Sequence, residues 1–154
     1  MNNQCLDDAN QIASHTLLKT SCDLEYLLIG DLRLLLRATT GSRTKSSLLV
    51  LLNRLILNLQ DVLEISSLDG FMVTVLDRRP NWSRQISELY QANLECVSTL
   101  VLIRDCLEND QVFNANSIKL DQKLEKWIES FSIIRCLEST MLQEAFTVEF
   151  GGEA

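Results

Sequence analysis

The stretch LEISSLDGFMVTVLDRRPNW, residues 63–82, decides how the chain is read. It opens as the tail of an apolar helix and breaks at Asp69-Gly70. It then regains apolar residues at Phe71, Met72, Val75 and Leu76 and stops at Pro80, the only proline in 154 residues. Glycine reaches the positive-φ conformation that closes a helix without a Cβ clash, so Gly70 is expected at the C-terminal cap or turn. The apolar residues after it predict a short amphipathic helix at about 71–78 lying over the end of a larger core. Proline cannot continue a helix, so Pro80 ends that piece, and Asn81 is expected to cap the next one.

Outward from this stretch, four long segments carry helical periodicity. The first covers about 5–39, with Leu24, Leu28, Leu32 and Leu35 in a stripe and Thr20 with Asp23 as a capping pair that would divide it. Gly41 is its expected stop, and Ser46 or Ser47 the cap of the second segment, 47–67. That second segment is apolar on more than one face, the pattern of a helix contacted on several sides. The third runs from Asn81 to about 108, with Ile86, Leu89, Ala92 or Asn93, Cys96, Leu100, Ile103 and Leu107 in its stripe. After the polar connection ENDQVFNANS (108–117), Ser117 is the expected cap of a fourth helix reaching about 147. Its inner stripe includes Leu124, Trp127, Phe131, Ile134, Leu137, Met141 and Leu142. β-branched residues follow helical rather than strand spacing. The expected fold is all-α: an up-down four-helix bundle with a short extra helix at about 71–78, and residues 5–19 as the candidate for a further helical piece. One domain is expected over 1–154, with 148–154 as a flexible tail.

Composition narrows the function classes. A hydrophobic fraction of 46% suits one globular domain and argues against disorder. A net charge of −7 disfavours nucleic acid and anionic membrane as partners, because both carry negative charge. The most apolar window, Leu48 to Leu63, contains Asn53, Arg54, Asn58 and Asp61 and is not expected to span a bilayer. The opening MNNQCLDDANQ has neither the basic start nor the apolar run of a secretory signal. Cys5, Cys22, Cys96, Cys106 and Cys136 are odd in number and contain no C-x-x-C pair, which fits free thiols in a reducing, cytoplasmic setting.

Little in the chain points to catalysis. His15 stands alone, and no phosphate-binding glycine loop or serine nucleophile elbow is present. Trp82 and Trp127 read as packing residues. Arg135 and Arg104 lie close in sequence to Cys136 and Cys106, but helical geometry does not make either a convincing thiol activator.

Several pieces in order resemble the bacterial hemerythrin-like four-helix proteins: LEISSLDGFM, LDRRPNW, SELYQANLECVSTL and IRCLESTMLQEAFTVE, together spanning about 20–150. The resemblance implies a bundle whose second and fourth helices each carry a His-x-x-x-Glu pair and whose third carries a His, all turned inward on a di-iron centre. Laid on this chain, the first pair falls on Val62 and Ser66, the third-helix position on Asn93, and the last pair on Ile134 and Glu138. The first-helix His would fall within 27–31, where no histidine stands. Only Glu138 keeps ligand chemistry, and one carboxylate with an amide cannot hold two irons against water. The resemblance therefore implies a degenerate, metal-free member without cofactor, in which Glu138 either turns outward or bonds to Asn93 or Ser66.

The leading expectation is a non-enzymatic scaffold, regulatory or interaction module with a protein partner or a second copy. The alternatives are a small-molecule bundle using the former metal cavity through Asn93, Ser66 and Glu138, and a thiol or soft-metal sensor using Cys96 and Cys136.

Overall fold

A computed structural model of the chain describes residues 22–37, 45–68, 71–109 and 113–151. Helix α1 spans 22–37. It is followed by α2 (Lys45–Leu68), α3 (Phe71–Arg78), α4 (Ser83–Asn109) and α5 (Phe113–Gly151), with a 3-10 turn at Pro80–Trp82. No strand occurs among the described residues, and the protein is all-α. No described helix is long and apolar enough to cross a membrane.

The helices bury the faces that their periodicity dictates. In α4 the buried set is Ile86, Leu89, Asn93, Cys96, Leu100, Ile103 and Leu107, one residue per turn or nearly so. In α2 the fully buried residues include Leu48, Leu52 and Leu55, and Leu59 is only 2% exposed. Each such leucine contributes roughly 1.5–3 kcal/mol through the apolar surface it removes from water. Polar pairs fix the direction of packing. Lys45 donates to the Glu108 carbonyl (3.1 Å) and Arg104 to Asn53 Oδ1 (3.2 Å), so α2 and α4 run antiparallel. Trp127 Nε1 donates to the Cys96 carbonyl (2.8 Å) and Asn93 to Glu138 (2.9 Å), which sets α5 antiparallel to α4. Leu28, Ile29 and Leu32 bring α1 into the same core.

A second, smaller core gathers under α3. Met72 and Val75 are buried there with Leu63 of α2, Ile86 of α4 and Ala145 of α5. The short helix thus lies against α2 and α5, as its apolar pattern predicts. The Arg78 guanidinium sits 4.0 Å above the Phe146 ring and ties α3 to the far end of α5.

Several expected boundaries move. Pro80 takes the first position of the 3-10 turn, where its missing N–H costs nothing. The residue before the turn is therefore Arg79, and Asn81 lies inside it rather than capping α4. Helix α2 starts at Lys45, which puts Ser46 and Ser47 in its first turn. Helix α5 starts at Phe113, four residues before Ser117 (no proline or glycine interrupts that polar stretch), and it continues to Gly151, beyond the expected end. Leu24, Leu137 and Leu142 are exposed at 46%, 52% and 37%: at about 100° per residue Leu24 and Leu137 turn away from the buried faces of their helices, and Leu142 borders an open cleft. Asp69-Gly70, Gly41, Thr20, His15, Cys5 and the 5–19 segment lie outside the described residues.

Candidate functional site

Beside Asn93 and Glu138, two of the positions that the resemblance aligns with metal ligands, the protein places a guanidinium. Arg135 stands on the inner stripe of α5 with Trp127, Phe131 and Glu138, spaced at i+4 and i+3. Its Nε donates to Glu25 Oε2 (3.1 Å) and its Nη2 to Glu25 Oε1 (2.7 Å), a two-point fork onto α1. Its Nη1 donates to both oxygens of Glu138 (2.8 and 2.9 Å) and to Asn93 Oδ1 (2.9 Å). Asn93 completes the network through Nδ2, which donates to Glu138 Oε1 (2.9 Å) and to the Leu89 carbonyl (2.9 Å). Beneath the guanidinium lies the Phe131 ring, 4.6 Å from its carbon and itself stacked on Trp127 at 5.1 Å.

Three helices therefore meet on one cation. Glu25 is buried on α1, Asn93 is buried on α4, and Arg135 and Glu138 are half-buried on α5. Burial opposes the charged form of Arg135. Its hydrogen bond to Glu25 and the fields of Glu138 and Glu25 outweigh that effect and hold its pKa above the ordinary arginine range. Among the described residues no buried polar side-chain atom lacks a partner.

The expected site residues separate into two places. Val62 is buried and Ser66 half-buried; both line a cleft of about 620 Å³ that reaches Glu138, Arg135 and Glu25 from outside. Of the two placements open to Glu138, the structure has the bonded one, with Asn93 as partner and Arg135 added. Ile134 faces away from this cleft and lines a different groove, between α4 and α5. Cys96 is buried beside that groove, while Cys136 is exposed and its carbonyl accepts from Thr140. Burial pushes the Cys96 thiol above its usual value of 9.0, with Arg135 pulling more weakly the other way.

These residues do not fit a di-iron centre. Val62 and Ile134 offer no donor, and the two carboxylates present are already held by a cation that would repel a second one. No group of three or more His, Cys, Asp or Glu among the described residues is placed to hold a metal ion.

Glu25 and Arg135 were both legible in part. Glu25 precedes Leu28, Ile29 and Leu32 at i+3, i+4 and i+7, which marks it as a member of the buried face. Arg135 continues the Trp127–Phe131 row, a signal hidden when it is weighed only against Cys136. Comparison with known proteins adds no relative: no family model matches the chain, and no curated protein or solved structure matches it.

Proposed function

We propose that the chain is a non-catalytic helical interaction module, a metal-free relative of the hemerythrin-like bundles with its four long helices in up-down order. The observation that carries this reading is the Arg135 guanidinium bonded to Glu25, Glu138 and Asn93. A fixed positive charge there does the bridging work that a metal ion does in such a bundle, drawing carboxylates from different helices together. It offers no open coordination position, and a guanidinium stays protonated near neutral pH and so serves neither as acid nor as base, which suits a scaffold rather than a reaction centre. Metal analysis of the purified, untagged chain tests the reading. Iron and zinc far below one equivalent are expected, and stoichiometric, tightly held metal would contradict it.

A second reading has one specific observation in its favour. The cleft of about 620 Å³ beside the network is also lined by Arg33, which makes no ion pair or hydrogen bond among the described residues. A small anionic ligand could pair with Arg33 while its body lies against Leu142 and Ile29. Thermal shifts with a panel of small carboxylates and phosphates separate this reading from the first, which expects none. The thiol-sensor reading has the least support, since Cys96 is buried while Cys136 is exposed.

A further inference from the structure

On the side of α5 away from the Arg33 cleft, α4 and α5 leave an open groove of about 580 Å³. On α4 its wall is Ala92, Cys96, Thr99, Leu102, Ile103 and Cys106. These residues recur at i+3, i+4 and i+7 over four turns, a length of roughly 21 Å at 1.5 Å per residue. Leu102, at 64% exposure, is the most prominent apolar residue in it, and the buried face of Trp127 forms part of the floor. An apolar channel of that length between two antiparallel helices has the dimensions of a third helix laid along them.

The charge on its edge is the informative feature. Lys123 and Lys126 line the groove from α5, and neither makes an ion pair or hydrogen bond among the described residues. Two such ammonium groups beside an apolar channel are notable in a chain of net charge −7. Glu95 is the one acidic residue in the lining, and it stands near the opposite end, by Ala92. We propose that this groove is a docking site for an acidic amphipathic helix of a partner protein, its apolar face on Leu102 and Ile103 and its carboxylates against Lys123 and Lys126. The proposal rests on the reading of the chain as an interaction module and names the surface through which it acts.

A second copy of the chain is the less suitable occupant. Its exposed apolar pairs at helical spacing lie on other helices, Val50 and Leu57 on α2 and, as a stripe, Leu27 and Leu34 on α1. At about 100° per residue that stripe lies across α1 from Glu25, the residue that binds α5. Seating either pair in the α4–α5 groove of another copy would join unlike faces head to tail, an arrangement that propagates unless its rotation happens to close.

The test uses the full chain and a fluorescein-labelled synthetic helix of about 18 residues, long enough to fill the groove. The probe carries leucines at i, i+3, i+4 and i+7 with flanking glutamates; its control has lysines in place of the glutamates. The acidic probe is expected to give saturable anisotropy that weakens with salt, and the lysine control none. Lys123→Glu with Lys126→Glu should weaken binding about tenfold or more, as like charges then oppose each other. Leu102→Asp should abolish it, with circular dichroism confirming that both variants stay folded. Equal binding of the two probes, unchanged binding by the variants, or no saturable binding overturns the proposal. So does a concentration-dependent oligomer that Leu102→Asp dissolves, because the groove then belongs to a second copy. Any of these results leaves the metal analysis, and the reading it tests, standing on its own.

Discussion

Arg135 is held by two carboxylates and an amide from three helices, and the energetics of such a cluster are unequal in the two directions. Taking a guanidinium and two carboxylates out of water costs nearly as much as their attraction returns, so the intact cluster adds little net stability. Removing the cation alone leaves Glu25 and Glu138, at 10% and 18% side-chain exposure, with no cation between them and Glu138 holding only its bond from Asn93. Arg135→Ala should therefore destabilise the fold by about 3 kcal/mol in urea unfolding. The triple change Arg135→Met, Glu25→Leu and Glu138→Leu should return to within about 1 kcal/mol of the parent, because no charge is then left behind. Cys96 supplies a pH dependence. Its thiol is raised above 9.0 in the folded state, so the unfolded chain loses that proton first and the folded state binds more protons in the alkaline range. The contribution of Cys96 to stability is complete below pH 9.0 and falls as pH rises through the raised value. Urea midpoints at neutral pH and above pH 9.0 should separate more in the parent than in Cys96→Ala. At this scale the sequence offers Ala92 or Asn93 for the inner stripe and leaves Glu138 open between an outward and a bonded placement, and it does not reveal their cation. A charged side chain one position from Ile134 looks like surface until its i−4 and i−8 neighbours, Phe131 and Trp127, are placed in the core.

At the scale of elements, α3 is the most informative piece. Its eight residues are too few to be helical alone, so it must owe its structure to Met72 and Val75 packing on α2, α4 and α5. Met72→Ala should cost about 2–3 kcal/mol and raise amide exchange first within Phe71–Arg78, ahead of the centres of α2 and α4. Exchange rising equally in all helices would mean that α3 is not a separate closing element. The apolar periodicity of α4 gives its whole buried face, since Ile86, Leu89, Asn93, Cys96, Leu100, Ile103 and Leu107 all fall on one stripe. Boundaries were less legible. Ser117, Asn81, Ser46 and Ser47 are all good capping residues, but a side chain that can cap does not oblige the helix to begin there. In α5 the polar run Asn114–Ser117 lacks any residue that breaks a helix, so the element extends through it.

For the whole molecule, the central matter is what occupies the middle of the helices. An all-α chain with a large leucine core was readable from spacing alone, because burial and periodicity report the same face. The contents of its centre were not, because they depend on which side chains of α1, α4 and α5 meet, and that register is a tertiary property. Once formed, the cluster of Glu25, Asn93, Arg135 and Glu138 takes up both of its inward carboxylates and places a positive charge between them. The chain should consequently be indifferent to metal. The direct measurement is anaerobic equilibrium dialysis of the untagged protein against ferrous iron and, separately, zinc, with bound metal and thermal midpoint read on the same samples. The account predicts no stoichiometric metal and an unchanged midpoint. One or two equivalents retained through buffer exchange, with a midpoint that climbs as metal is added, would contradict it.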